Sequence, residues 1–167
     1  DKLSNEILSN FAKTEDILSA KLTDLPYLNA CIEEGLRMFP PVPGGLPRTV
    51  GSNGIVIGNQ VIPPDTQIST HTWTIHYDDR YYPEAYTFRP ERWLEEDVQL
   101  DPLNPFSYGP RACIGRNMAY IEMRMFLAKF VFHFNGDLVN KDEPYGLEDL
   151  FISKRRALPI KLSVREH

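Results

Sequence analysis

The stretch Phe106-Ser107-Tyr108-Gly109-Pro110-Arg111-Ala112-Cys113-Ile114-Gly115 decides the fold, and we refer to it as the cysteine loop. It places Cys113 just before a segment in which apolar residues recur at spacings of three and four, which predicts a long helix. A helix N-terminus carries partial positive charge and unpaired N–H groups, so a cysteine there is biased towards the thiolate. The sequence therefore predicts a thiolate metal ligand at Cys113.

The residues around Cys113 indicate the shape of the ligand that would share this site. Gly109 allows a tight turn before the cysteine, and Gly115 lets a flat, bulky ligand approach the backbone after it. Arg111 lies shortly before Cys113 and can hold a carboxylate on the edge of the same ligand. A flat iron macrocycle that carries carboxylates, such as haem, meets these requirements.

Several positions of this region resemble the haem-binding loop of the cytochrome P450 monooxygenases. They are Phe106, Gly109, Arg111, Cys113, Gly115 and Ala119. Two upstream segments, Glu34-Gly35-Leu36-Arg37 and Phe88-Arg89-Pro90-Glu91-Arg92-Trp93, resemble the same family in the expected order. Alone, a cysteine in such a turn is more often structural, and a Glu-x-x-Arg pair is more often exposed. The three segments together favour the family.

The resemblance implies a role for each matching residue of the site. Cys113 would be the axial ligand of the haem iron and the residue that carries the chemistry, and Phe106 would shield its sulfur. Arg111 and Arg48 would hold the two propionates, although Arg48 could also be a surface arginine that precedes a strand. Ala119 would keep the following helix close to the macrocycle, because its side chain is small.

In the family, a buried charged network would join Glu34, Arg37 and Arg92, and we call these residues the Glu34 triad. Buried charges persist only when they are paired and hydrogen-bonded, so the predicted role is architectural rather than chemical.

The pattern of apolar residues and turn formers predicts a mixed α+β chain that is mainly helical. Helices are expected over the first ten or so residues, from a cap at Asp24 to Pro40-Pro41, as one turn at 73–76, and from 116 to about His133, with Asn135-Gly136 as the stop. Strands are expected at 55–57 and 61–62 around a Gly58-Asn59 turn, at 67–71, and at 158–164, where Pro159 favours a sheet edge. Residues 78–93 should form an ordered meander, and the methionines of the last helix should lie in the core.

The resemblance also implies the surroundings of the site. Residues 42–46 would border the distal pocket and Phe151-Ile152 would touch the substrate, and both are apolar, which favours a lipophilic small molecule. A basic patch formed by Arg116, Arg124 and Lys129 would dock an acidic electron-donor protein, an NADPH-dependent reductase. The alternative is that these three cations form a solvated helix face.

The remaining histidines and the second cysteine favour ordinary roles. Cys31 is expected as a small core residue, and the chain shows neither a disulfide framework nor a Cys-x-x-Cys zinc motif. His76 is expected to be a surface or hydrogen-bonded residue rather than a ligand. The other histidines are weaker ligand candidates still: His71, His133 and His167.

Charge and hydropathy exclude some functions. With 18 basic and 23 acidic residues the net charge is −5, and the longest basic run, Lys154-Arg155-Arg156, is expected as a solvated turn. We therefore expect no nucleic-acid partner. No apolar stretch is long enough to span a bilayer, so a membrane anchor is expected only upstream of this chain.

The sequence predicts the C-terminal, haem-binding part of the P450 fold, with residues 1–167 as an incomplete domain. The implied function, in the full-length context, is C–H hydroxylation with haem b, O₂ and reductase-supplied electrons. The setting would be the cytoplasmic face of the endoplasmic reticulum membrane, as in fungal enzymes of secondary metabolism. The distal pocket and its proton-delivering helix belong to upstream sequence, so this chain alone should be inactive. Two alternatives stay open: a non-catalytic or vestigial haem-binding product, and a haem-thiolate isomerase or dehydratase.

Overall fold

Three long helices enclose the apolar core. The computed structural model describes residues 1–141 and 146–166. Its helices are α1 (Lys2–Asn10), α2 (Ser19–Leu22), α3 (Pro26–Met38), α4 (Thr72–His76) and α5 (Arg116–His133). Apolar side chains from α1, α2, α3 and α5 and from the α1–α2 connection pack together: Ile7, Phe11, Ile17, Leu22, Leu28, Ile32, Ala128 and Phe132. The predicted helices are confirmed, and the one predicted at 73–76 is α4.

The start of α3 differs from the prediction. Pro26 occupies the first turn as expected, but the capping position is Leu25, and Asp24 does not cap the helix. Instead the Glu6 carboxylate of α1 accepts the backbone N–H of Tyr27 at 2.8 Å and that of Leu28 at 2.7 Å. A carboxylate at a helix N-terminus satisfies free N–H groups and opposes the positive end of the dipole. This cap comes from another helix, so local sequence did not reveal it.

The strands form small antiparallel pairs, as the predicted small sheets require. They are β1 (Arg48–Thr49) with β4 (Gln67–Ile68), β2 (Ile55–Ile57) with β3 (Gln60–Ile62), β5 (Phe134–Leu138) with β8 (Ile160–Val164), and β6 (Leu147–Leu150) with β7 (Ile152–Arg155). The hairpin around Gly58-Asn59 is confirmed, with Ile57 paired to Gln60. The strand predicted at 67–71 is shorter, because its partner β1 has only two residues, and His71 makes an isolated bridge to Gly45.

Helix α5 and the strands that follow it correct three expectations. The helix passes directly into β5 at Phe134, so Asn135-Gly136 lies inside a strand and does not stop the helix. Lys154 and Arg155 belong to β7 rather than to a turn. Met118 is exposed and not in the core, together with Ile121 and Phe126 on the same helix. These positions have helical periodicity, but they lie on parts of the helix surface that the core does not cover.

The predicted meander connects α4 to the cysteine loop. Residues 78–93 contain no strand and end in the short 3₁₀ turn Pro90–Leu94. Four residues of this segment are buried: Tyr82, Ala85, Pro90 and Arg92. The meander therefore has a small interior of its own, and it packs on α3 through the Glu34 triad.

Candidate haem-binding site

The cysteine loop is a closed turn that ends at α5. Gly109 has a φ of 72°, in the left-handed region that favours glycine, and it opens the 3₁₀ turn Gly109–Arg111. The backbone N–H of Ala112 donates to the Gly109 carbonyl at 3.0 Å, and that of Cys113 donates to the Phe106 carbonyl at 2.9 Å. These bonds fix the backbone of Cys113 two residues before Gly115, the capping position of α5.

Cys113 opens into an apolar cleft of about 530 Å³. The cleft lies between the cysteine loop and the segments around β1 and β4, and its walls include Val42, Leu46, Arg48, Ile57, Ile68, Phe106, Arg111 and Cys113. Cys113 is a free, exposed thiol, whereas Cys31 is a free, half-buried thiol on α3. Burial raises the pKa of Cys31 to about 11, so its thiol stays protonated, but Cys31 is half-buried and is not among the buried core residues, where it was expected.

The cations of this cleft have the arrangement that a dicarboxylate ligand needs. Arg48 and Arg111 are both exposed and both line the cleft with Cys113. Arg48 donates from Nη1 only to the Pro47 and Leu46 carbonyls, at 3.0 and 3.4 Å. Within residues 1–141 and 146–166, neither arginine has a carboxylate within ion-pair distance. Two unpaired cations beside an open thiol fit a flat ligand with two acidic groups.

The glycine and alanine after the cysteine leave space beside the sulfur. A Cβ added at Gly115 would stand 3.8 Å from the Cys113 Sγ and would occupy that space. Ala119 is half-buried, and its N–H donates to the Gly115 carbonyl at 2.9 Å. On the other side, the Phe106 ring packs against Tyr120 of α5 at 5.4 Å between centroids. The residues present therefore fit haem: one thiol, two arginines without carboxylate partners in the described ranges, and small residues after the cysteine.

The Glu34 triad is confirmed as a buried network. Arg37 binds the Glu34 carboxylate with two parallel bonds of 2.9 Å, and both side chains are 0% exposed. Arg92 approaches the same carboxylate at 3.3 Å and also donates to the Pro83 carbonyl at 2.9 Å. Because the Glu34–Arg37 pair is bidentate and fully buried, the alternative that it is an exposed helix pair is wrong.

Glu34 has two further partners that the sequence argument missed. The Trp93 indole N–H donates to Oε2 at 3.0 Å, and the Arg89 backbone N–H donates to Oε1 at 2.9 Å. Burial alone would raise the pKa of Glu34, but the bonds from Arg37 and the Arg89 amide hold it below its ordinary value. Trp93 could have been found, because a buried indole needs an acceptor and the tryptophan follows Arg92 directly.

His76 is hydrogen-bonded through both ring nitrogens, and it is fully buried rather than at the surface, which was the other expectation. Nδ1 lies 3.0 Å from the Arg37 carbonyl, and Nε2 lies 3.1 Å from the Asn104 amide nitrogen. Burial lowers its pKa to about 4, so it stays neutral at physiological pH. His133 Nε2 lies 2.9 Å from the Thr14 hydroxyl, and His167 lies outside the described residues. In the described ranges no three His, Cys, Asp or Glu side chains form a metal-binding group.

The three basic residues of α5 are not brought together. Arg116 and Arg124 lie over the Tyr120 ring, at 5.9 and 5.2 Å, on the wall of a cleft of about 640 Å³ on the other side of the cysteine loop. Lys129 is exposed and does not line this cleft. The Tyr120 hydroxyl donates to the Glu33 carboxylate at 3.0 Å. Arg124 is therefore half-buried against the aromatic ring, whereas Arg116 approaches the same ring from an exposed position.

The two apolar segments assigned to the substrate side lie near each other. The Ser153 N–H donates to the Pro41 carbonyl at 2.7 Å, which fixes the β6–β7 hairpin beside the start of the 42–46 segment. Val42 and Leu46 line the cleft of Cys113. Phe151 and Ile152 are exposed at the tip of the hairpin and are not among the residues that line the cleft.

Comparison with known proteins agrees with this geometry. A sequence model described as Cytochrome P450 matches residues 1–162. The chain belongs to the cytochrome P450 family. It is 41% identical over 169 residues to cytochrome P450 monooxygenase efuB of Hormonema carpetanum, covering 98% of this chain and 34% of that protein. It is 40% identical over 140 residues to a trichothecene C-15 hydroxylase of Fusarium sporotrichioides, covering 81% and 28%.

The P450 fold is also found among solved structures. The crystal structure of a cytochrome P450, CYP102L1, matches with a TM-score of 0.85 and 24% identity, over 98% of this chain and 38% of that one. This likeness confirms the fold class predicted from the sequence. The chain spans about a third of the length of the curated P450 relatives. None of the helices in the described part of the chain has the length and apolarity to cross a bilayer.

Proposed function

We propose that residues 1–167 are the C-terminal, haem-binding portion of a P450 monooxygenase, and that Cys113 is the axial ligand of haem b. The observation that carries this proposal is the cleft in which the exposed Cys113 thiol lies beside Arg48 and Arg111, neither of which has a carboxylate partner in the described ranges. The term complete enzyme is used below for a protein in which the upstream part of the P450 fold precedes these residues.

Each residue of the site has one task in this proposal. Bound haem supplies an iron centre whose thiolate ligand favours O–O cleavage and so the hydroxylation of an unactivated C–H bond. Cys113 would ligate the iron from a loop that the Phe106 carbonyl holds through its bond from the Cys113 N–H. The Phe106 ring would shield the sulfur. Arg48 and Arg111 neutralise the propionates. The Glu34 triad holds the meander against α3 and takes no part in the chemistry.

Partners and substrate follow from the same site. The apolar side chains of Val42 and Leu46 in the cleft favour a lipophilic small-molecule substrate. We propose that electrons come from an NADPH-dependent reductase that docks on the face carrying Arg116 and Arg124, where cations attract an acidic surface. A segment upstream of this chain would hold the complete enzyme at the endoplasmic reticulum membrane.

The names of the relatives favour oxygen insertion over the other reactions of haem-thiolate proteins. Those described above are named as a monooxygenase and a hydroxylase, and others include the monooxygenases dtxS2 of Metarhizium robertsii and astJ of Aspergillus oryzae. The cysteine loop of this chain matches all the expected positions of the family. An isomerase or dehydratase function is therefore less well supported.

Substitutions of the two cysteines, made one at a time, test the ligand assignment. In the complete enzyme, Cys113→Ser should abolish the thiolate spectrum of the reduced carbon-monoxide complex, because a hydroxyl does not donate comparable charge to iron. Cys31→Ser is the matched control and should leave this spectrum unchanged, since Cys31 lies half-buried on α3. A thiolate spectrum in the Cys113→Ser variant would contradict the proposed function.

A further inference from the structure

We propose that His76 is a positioning residue for the cysteine loop. Its single imidazole links this loop to the Glu34 triad. The inference rests on the proposed function of Cys113 as the haem ligand. His76 does not touch the cleft, and its effect would reach Cys113 through hydrogen bonds of the intervening backbone.

The two bonds of the imidazole face different parts of the molecule. Nδ1 lies 3.0 Å from the Arg37 carbonyl, which can only accept, so Nδ1 carries the proton. Nε2 lies 3.1 Å from the backbone nitrogen of Asn104, whose N–H can only donate, so Nε2 is the acceptor. The partners thus define a single neutral tautomer, and the side chain has 0% exposure, so water does not compete for either bond. Burial lowers the pKa of His76 to about 4, which keeps this tautomer uncharged.

On one side, His76 is joined to the triad in both directions. Its Nδ1 donates to the Arg37 carbonyl, and the Arg37 guanidinium returns a bond from Nη1 to the His76 carbonyl at 2.7 Å. Arg37 itself is fixed by its two bonds to Glu34. The imidazole therefore starts from a rigid, fully buried anchor and cannot move without disturbing the triad.

On the other side, His76 holds the base of the cysteine loop. The Asn104 carbonyl accepts the Ser107 N–H at 3.0 Å and so closes the turn that contains Phe106. The Phe106 carbonyl accepts the Cys113 N–H at 2.9 Å. The Asn104 side-chain oxygen is buried and has no hydrogen-bond partner among the described residues. Its backbone N–H donates to His76 and so ties Asn104 to α4.

Two substitutions separate the two bonds, and a third serves as a control. The amide of His76→Asn reaches about as far as Nδ1, so it keeps the Arg37 contact and loses the Asn104 contact. The amide of His76→Gln reaches about as far as Nε2, so it keeps an acceptor for Asn104. Tyr77→Phe removes the 2.7 Å bond from the Tyr77 hydroxyl to the Met38 carbonyl, which joins α4 to α3 without touching the loop.

Hydrogen exchange of the complete enzyme without haem is the first measurement. In His76→Asn, peptides covering residues 100–115 should exchange about tenfold faster, as expected when a buried N–H loses its acceptor, while α5 exchanges as before. His76→Gln and Tyr77→Phe should leave these peptides close to wild type. Equal acceleration in the asparagine and glutamine variants, or none in the asparagine variant, would overturn the proposal.

The reduced carbon-monoxide spectrum of the haem-loaded protein is the second measurement. The thiolate fraction should fall in His76→Asn and stay near wild type in His76→Gln and Tyr77→Phe. If the spectra of His76→Asn, His76→Gln and Tyr77→Phe are unchanged while Cys113→Ser loses the thiolate signal, the role of His76 is overturned and the proposed function stands. A thiolate signal retained in Cys113→Ser would overturn the proposed function instead, and hydrogen exchange would still decide whether His76 holds the loop.

Discussion

The Glu34 carboxylate shows how a single residue joins distant segments of this chain. It accepts bonds from Arg37 on its own helix and from Arg89, Arg92 and Trp93 of the meander. A carboxylate in this environment is satisfied only while every donor is present. Removing one partner of a buried pair leaves an uncompensated charge, which costs far more than breaking an exposed pair.

We therefore expect Glu34→Ala or Arg37→Ala to lower the free energy of unfolding of the complete enzyme by about 3–5 kcal/mol. The meander would lose its attachment to α3, and haem incorporation should fall because the cysteine loop follows the meander. Chemical denaturation and the ratio of haem to protein measure the two effects.

Lys2→Ala is the control for these variants. Lys2 forms an ion pair with Glu91, but its side chain is 68% exposed, so the loss should stay below about 1 kcal/mol. Full haem occupancy and unchanged stability in Glu34→Ala or Arg37→Ala would show that the triad is not structural.

The buried imidazole of His76 predicts a pH dependence with a definite sign. Burial lowers its pKa from 6.5 to about 4, so between these values the unfolded chain binds more protons than the folded one. The contribution of His76 to the free energy of unfolding must therefore fall as the pH is lowered through this range, by about 2 kcal/mol between pH 7 and pH 5. Denaturant midpoints of wild type and His76→Gln at both pH values test this. Between pH 7 and pH 5, the free energy of unfolding of His76→Gln should fall by about 2 kcal/mol less than that of wild type. Equal decreases in the two proteins would contradict the prediction.

At the scale of elements, the cysteine loop depends on one backbone conformation. Gly109 has a φ of 72°, and nothing lies within 4 Å of the Cβ that a larger residue would add. Gly109→Ala should therefore act through backbone strain alone and cost about 1–2 kcal/mol. Because the strain falls between Phe106 and Cys113, the thiolate fraction of the carbon-monoxide complex should fall with it.

Gly35→Ala is the matched control for that substitution. Gly35 lies inside α3, and nothing lies within 4 Å of an added Cβ there either. In a helix interior, alanine is favoured over glycine by about 1 kcal/mol, so this variant should be slightly more stable. Thermal unfolding of both variants checks the opposite signs. A Gly109→Ala variant as stable as wild type would contradict the assigned strain.

Elements with local signals could be predicted from the sequence, and those set by distant partners could not. Helix α5 and the β2–β3 hairpin follow from apolar spacing and from the turn formers Gly58-Asn59. The cap of α3 was missed because Glu6 supplies it from another helix. The end of α5 was misplaced because pairing with β8 draws Asn135-Gly136 into a strand.

The same distinction holds for the site. The positions of Cys113, Arg48 and Arg111 around one cleft were expected from the family resemblance, and the structure places all three there. The link from His76 to Asn104 joins residues far apart in the sequence, and it involves a backbone N–H that carries no residue signal. Contacts to the main chain are the part of a site that side-chain patterns reveal least.

At the scale of the whole molecule, apolar surface lies open beside the cysteine. Ile114, Met118, Ile121 and Phe126 are exposed along the start and outer face of α5, and Val56 and Val61 are exposed on the β2–β3 hairpin. Exposed large apolar side chains in this number favour association or aggregation. We therefore expect the 167-residue chain to be poorly soluble when expressed alone.

The open cleft leads to the last prediction: the isolated chain, supplied with haem and a reductase, should show no monooxygenase turnover. Cys113 is exposed, and the described residues that wall its cleft come from the cysteine loop and the two residues before it, from the segments around β1 and β4, and from Ile57 of β2. Water would reach an iron held there, whereas oxygen chemistry needs a shaped site that excludes water. Product analysis with labelled O₂ measures this directly. Reductase-dependent product that disappears in Cys113→Ser would contradict the prediction and would mean that these residues alone suffice for catalysis.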